Sequence, residues 1–134
     1  MLSAILRIAI AGLCAIGIYI SLFMARKFDA ARRGELAEPS VVTSPRARVG
    51  GVPNARIGLM YYTLLLVASP FTTPSHPLVL GASLVASVLA ALASLFLAYS
   101  LLLITRQPCS YCWTGHAINW ALLVLLVLLA SPTR

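Results

Sequence analysis

Four apolar stretches, one long polar segment and two short links make up the pattern of this chain. The first stretch runs from about Leu2 to Met24, broken only by Arg7, whose long side chain can snorkel to a headgroup layer from one to two turns inside. The second starts near Asn54, the third covers Leu78 to Ile104, and the fourth covers Cys109 to Ala130. At 1.5 Å per residue these lengths suit a hydrocarbon core of ~30 Å, so spans are expected over about 2–24, 54–73, 78–104 and 109–130. The second is the shortest, which implies little tilt or a start below the surface. Residues 25–53 form the polar loop. Its first part, Ala25 to Ala37, is rich in Ala, Arg and Glu and can carry the first helix beyond the membrane; Pro39, Pro45, Gly50, Gly51 and Pro53 then break any regular helix. A connection this long, beside short ones elsewhere, is a candidate lid.

Along the third stretch Ser83, Ser87, Ala91, Ser94 and Ala98 recur at helical spacing, a packing signal that lets helices approach closely in lipid. No segment alternates with a strand period. The expected fold is all-α, a polytopic membrane four-helix bundle forming a single domain over 1–134, because helices satisfy every backbone group internally. A signal peptide is the rival reading of the first stretch; its apolar part is long and Ala25-Arg26-Lys27 is a poor cleavage site, which favours a retained anchor.

Composition narrows the class. With 60% hydrophobic residues and a mean hydropathy of +0.95, a 134-residue soluble domain could not hide its apolar surface, whereas lipid can cover it. The net charge of +7 does not suggest nucleic acid, because seven of the ten Lys and Arg fall within residues 25–56. Anionic headgroups and membrane topology explain such a cluster more simply.

The candidate chemistry lies in the cysteines. Three are too few for a secreted disulfide framework, and Cys14, inside the first stretch, reads as a small buried hydrophobe. Cys109-Ser-Tyr-Cys112 stands at the mouth of the fourth stretch. Two thiols three apart at a helix start face one side and can close into a disulfide, and a thiolate there is favoured by the helix dipole. Coincidence, metal binding with His116, and redox exchange are the three readings; zinc would need a fourth ligand, and His76 belongs to the turn after the second span, on the opposite face if all helices cross.

Gly51-Val-Pro-Asn54-Ala-Arg-Ile-Gly58 with Tyr61-Tyr62, and Cys109-Ser-Tyr-Cys112-Trp-Thr-Gly-His116-Ala-Ile-Asn119, resemble two motifs of the vitamin K epoxide reductase family. Pro39 to Ser44 resembles that family's loop before the second span, and Leu13 to Gly17 with Ser21-Leu22 its first span. The likeness covers nearly the whole chain. It implies a four-helix bundle enclosing a quinone of menaquinone or ubiquinone type, a membrane thiol oxidoreductase that generates protein disulfides, and a thioredoxin-like or other dithiol protein as partner. By motif position, Cys109 would exchange with the partner and Cys112 would face the quinone, with Asn54 and His116 as polar contacts to it. Taken alone, Asn54 suits a helix cap after Pro53, and His116 reads equally as an interfacial packing residue.

Two departures stand out. Many members of the family carry a shuttle cysteine pair in the loop after the first span; this loop has none, and Pro39 stands where the second is often found. The alternatives are therefore direct attack by a partner on the Cys109–Cys112 disulfide, a non-catalytic binding or assembly module of the same fold, or a metal-binding membrane protein. Further, residues 25–56 and the link 105–108 would share one side and hold eight basic residues, against Arg7 and Arg134 on the other. The positive-inside rule places that side, and the dithiol, at the cytoplasmic face.

Overall fold

The computed structural model describes residues 1–36 and 41–132. Its frame is four α-helices: α1 (Leu2–Arg32), α2 (Asn54–Ala68), α3 (Pro77–Ser100) and α4 (Ser110–Ala130). Three of the helical segments, Leu2–Arg32, Pro77–Thr105 and Ser110–Ala130, are long and apolar enough to cross a membrane. Helix α2 has 15 residues, or about 22 Å at 1.5 Å per residue. It ends earlier than the 54–73 expected because Pro70 cannot continue it; Ser69–Phe71 tighten into a 3-10 turn, and the Thr72 hydroxyl donates to Ser69 O at 2.7 Å. Helix α1 runs on to Arg32, the extension expected of its Ala- and Arg-rich end.

α1 packs chiefly against α2, and α4 against both α3 and α1. α1 and α2 are antiparallel, tied at both ends. Arg56 Nη2 donates to Asp29 Oδ1 at 2.8 Å at one end; at the other Arg7 Nη1 donates to Pro70 O at 3.4 Å. Arg7 thus marks the end of the bundle away from the polar loop. The core runs through Leu6, Ile10 and Cys14 of α1, Tyr62 and Leu65 of α2, and Ile118, Leu122, Leu126 and Leu129 of α4. Cys14 is fully buried and free. The small residues of α3 at 83, 87, 91, 94 and 98 are all buried, so the stripe is a packing face as expected. Large apolar side chains such as Ile8, Leu64, Leu89 and Val124 point outward, as lipid-facing positions do.

Gly17 sets the closest helix approach. A Cβ there would lie 2.8 Å from the Tyr62 ring, so only glycine lets that ring settle on α1.

The polar loop is more ordered than its helix breakers implied. Two 3-10 turns, Val41–Thr43 and Pro45–Ala47, lead into a short antiparallel hairpin of β1 (Arg48–Val49) and β2 (Val52–Pro53). Gly50 and Gly51 close it with φ of 56° and 83°, the left-handed pair that a two-residue hairpin turn needs. The absence of any strand was expected, and this hairpin corrects it: Gly-Gly is a hairpin signal as well as a helix breaker, and two-residue strands are too short to show alternation. Pro39, read as the substitute for a shuttle cysteine, lies outside the described residues, as do Ser40 and Arg134.

Beyond α3, Leu101–Thr105 widen into a π-helical turn that ends on Arg106 in the left-handed conformation (φ 50°), its N–H donating to Leu101 O at 3.0 Å. This sharp stop delivers Cys109 to the start of α4.

Candidate active site

The C-terminal ends of α1 and α3, the N-terminal ends of α2 and α4, and the polar loop converge at one end of the bundle. They line a half-open cavity of about 490 Å³. Its walls are mostly apolar, with contributions from Ile20, Met24, Phe28, Ala90, Phe96 and Leu97. The loop forms part of its wall: Val41, Val42, Pro45, Ala47 and Pro53 all line it, and Val42 is buried. Two cationic side chains hold this lid down. The Arg46 guanidinium lies over the Phe96 ring of α3 at 5.5 Å, and that of Arg48 over the Phe28 ring of α1 at 4.9 Å.

Cys109 and Cys112 form a disulfide, with their Cα atoms 5.3 Å apart. Cys109 is in extended conformation at the N-cap of α4, and its Sγ accepts from the Cys112 N–H at 3.2 Å. The sulfur therefore takes the place of the usual capping oxygen and satisfies a backbone donor that would otherwise be orphaned. Cys112, one turn in, is on the cavity wall, while Cys109 is not among the lining residues. Between them Tyr111 stacks on Phe23 of α1 at 4.3 Å, joining the dithiol turn to the neighbouring helix.

Asn54 and His116 both reach the cavity. Asn54 does not cap α2: the N-cap is Pro53, which offers no side-chain bond. Instead Asn54 Nδ2 donates to the lid carbonyl of Arg46 at 2.8 Å, so the capping alternative gives way to a lid anchor. Its Oδ1 is buried without a partner. His116 is buried, stacked on Trp120 and edge-on to Trp113, and its packing role is evident alongside its place on the wall.

A polar relay that the sequence did not single out sits deeper. The Tyr62 hydroxyl donates to Asn119 Oδ1 at 2.6 Å, and Asn119 Nδ2 donates to Ser94 Oγ at 2.7 Å, linking α2, α4 and α3 across the cavity. Tyr62 and Asn119 fall inside the two sequence motifs, which was the available signal; Ser94 was visible only as a small packing residue. Among the described residues no group of three His, Cys, Asp or Glu comes together, and His76 is at the far turn, its Nδ1 3.0 Å from Thr73 Oγ1.

A disulfide at the wall of an apolar, ligand-sized cavity sets a dithiol pair beside space for a hydrophobic molecule. The sequence model of the vitamin K epoxide reductase family matches residues 8–127 of the 134. This chain belongs to the vitamin K epoxide reductase family. The match takes in every helix that forms the site, from α1 to α4, and identifies a membrane protein of a family of thiol oxidoreductases. Within the frame of that family the four residues of the two motifs, Asn54, Cys109, Cys112 and His116, stand at one end of the bundle, three of them on the cavity wall.

Proposed function

We propose that this vitamin K epoxide reductase-like protein generates disulfides in partner proteins and passes the electrons to a quinone held in the cavity. The observation that carries this reading is the division of the dithiol: Cys112 faces the cavity and Cys109 does not. The two sulfurs of one bond thus meet different reactants. The cavity suits a quinone ring in size, in its apolar walls and in its few fixed polar groups. The second amide N–H of Asn54 and the His116 ring are available to the oxygens of such a ligand.

A partner thiolate attacks Cys109 Sγ, the S–S bond breaks, and Cys112 leaves as the thiolate. A second partner thiol then displaces Cys109, releasing the partner as a disulfide. Cys109 leaves from a helix N-cap, where the α4 dipole and the Cys112 N–H stabilise a thiolate. The reduced pair then gives up two electrons and two protons, and the S–S bond re-forms. A bound quinone supplies the electron-accepting chemistry. No loop cysteine relays electrons, since residues 25–53 contain none, so the partner, a thioredoxin-like protein or another dithiol protein, reaches Cys109 directly.

We also propose that the lid end faces the cytoplasm, because it carries the eight basic residues of the loop and the α3–α4 link. The activity test is loss of quinone absorbance when purified protein is supplied with a reduced dithiol protein. Turnover in the wild type and none in Cys112→Ser supports the reading; equal rates in both would refute it.

A further inference from the structure

The Ser94 hydroxyl carries a proton for which its surroundings offer no acceptor. Its Oγ lies 2.7 Å from Asn119 Nδ2 and accepts from it. Thr63 and Thr114 turn their hydroxyls back onto the carbonyls of Leu59 and Ser110, four residues upstream, at 2.7 and 2.8 Å. Among the described residues no such bond ties Ser94 to its own helix. The opposite hydrogen order, with the Asn119 amide turned over and Ser94 as the donor, fits the distances less well. Tyr62 Oη would then accept from Nδ2 at 2.6 Å, shorter than N–H···O bonds run but ordinary for O–H···O. The Tyr62 proton would be left to Gly115 O at 3.4 Å, a long contact. The order from Tyr62 through Asn119 to Ser94 therefore puts the serine proton at the end of the chain. Ser94 is 2% exposed and on the cavity wall, so the cavity is where that proton can find an acceptor. The second N–H of the Asn119 amide also has no partner among the described residues and belongs to the same polar patch.

We infer that Ser94 donates a hydrogen bond to a ligand oxygen at the inner end of the cavity, and that Asn119 is the positioning residue that turns the serine proton inward. The inference rests on the quinone reading above and adds a contact to it. On α4, Asn119 is seven residues beyond Cys112, or about 10 Å along the axis. A donor at that depth serves an oxygen on the side of the ring away from the dithiol. A para-quinone carries its two carbonyl oxygens on opposite edges, so one edge can stay near Cys112 while the other meets Ser94. A carbonyl buried in an apolar cavity loses its bonds to water, and one directed donor offsets that loss. The Tyr62 hydroxyl acts on the ligand only through this chain, by occupying Asn119 Oδ1 and leaving the serine proton free.

The test is equilibrium dialysis of full-length protein in detergent, in a Cys109→Ser/Cys112→Ser background so that no electrons move. The probes are 2-methyl-1,4-naphthoquinone and 2-methylnaphthalene, which has the same fused rings without the oxygens. Partitioning into micelles is common to all variants and cancels in the comparison. Ser94→Ala should weaken the quinone roughly 3- to 10-fold, the equivalent of one hydrogen bond, and leave the hydrocarbon unchanged. Tyr62→Phe keeps the ring but deprives Asn119 Oδ1 of its donor. The amide then turns to take the Ser94 proton, so the quinone should again weaken and the hydrocarbon should not. This variant also covers the case of a poorly folded Ser94→Ala. Both changes act on one ligand bond, so the pair should cost no more than Ser94→Ala alone. Full quinone affinity in Ser94→Ala, or equal loss of both probes in each single variant, overturns the inference while leaving the quinone reading intact. Additivity in the pair overturns the positioning role of Asn119. Failure of the quinone to bind with Ser94 and Tyr62 in place removes the quinone reading and the inference with it.

Discussion

Gly17→Ala should injure the site from the opposite side of α2. The new Cβ would meet Cδ1, Cδ2 and Cε1 of Tyr62 at 2.8 Å. Carbon atoms rest at about 3.5–4.0 Å, so the ring has to move by about 0.7–1.2 Å. Tyr62 has little room, being buried and wedged against Tyr61 with ring centroids 5.1 Å apart. A shift of that size also stretches the 2.6 Å bond from its hydroxyl to Asn119 beyond hydrogen-bond range. Overpacking costs about 1–3 kcal/mol, and the lost bond about 0.5–1.5 kcal/mol. The better helix propensity of alanine returns up to about 1 kcal/mol, so the net loss is about 0.5–4.5 kcal/mol. Gly12 is the control: it lies on the same helix, and a Cβ there meets nothing within 4 Å. Gly12→Ala should be neutral or slightly stabilising. Unfolding of the purified variants by stepwise replacement of mild detergent with SDS measures the difference. Pairing Gly17→Ala with Tyr62→Leu, which removes the clashing ring, should cost less than the sum of the two single changes. Equal stabilities for the Gly12 and Gly17 variants would refute the close-approach argument, and additivity in the pair would show that Tyr62 is not what the new methyl meets.

Thiol counting by mass shift should find no accessible thiol before reduction and two after it, with Cys14 silent in its core position; Cys112→Ala should trap a mixed disulfide on Cys109, and Cys109→Ala should trap none. Replacing Arg46 and Arg48 together by alanine removes both clamps on the lid. At about 0.5–1 kcal/mol each, their loss should speed amide hydrogen exchange across residues 41–53 by roughly 5- to 30-fold; unchanged exchange would mean that the lid is held by its apolar contacts alone. For orientation, Glu35→Cys in a Cys109→Ser/Cys112→Ser background places one exposed thiol on the lid side, at the modest cost of its surface ion pair with Arg33. An impermeant maleimide should label it in lysed cells and not in intact ones; labelling of intact cells would put the lid outside.

The helices were legible because lipid leaves no alternative to long apolar runs, and proline and glycine mark where the runs stop. The dithiol was legible because its chemistry is local: two sulfurs three residues apart need only a helix start to meet. What escaped notice depends on pairs far apart in the chain. Tyr62 meets Asn119 across 57 residues and Asn119 meets Ser94 across 25, and nothing in the sequence distinguishes Ser94, or Ser87 with its hydroxyl 2.9 Å from that of Tyr61, from a packing serine such as Ser83. Asn54 shows the limit most clearly. Its local context, after proline at a helix start, fits a cap, while its motif fits a ligand contact. The deciding partner is a backbone carbonyl eight residues upstream, and carbonyls have no signature in a sequence. That same bond makes the polar loop part of the site. A loop without cysteines cannot relay electrons, but by holding Arg46 O against Asn54 and an arginine over each of two helices it can set which hydrogen-bonding face the cavity offers. Lid closure and ligand recognition are then one event, and a variant that loosens the lid should weaken ligand binding as well as speed exchange in the loop.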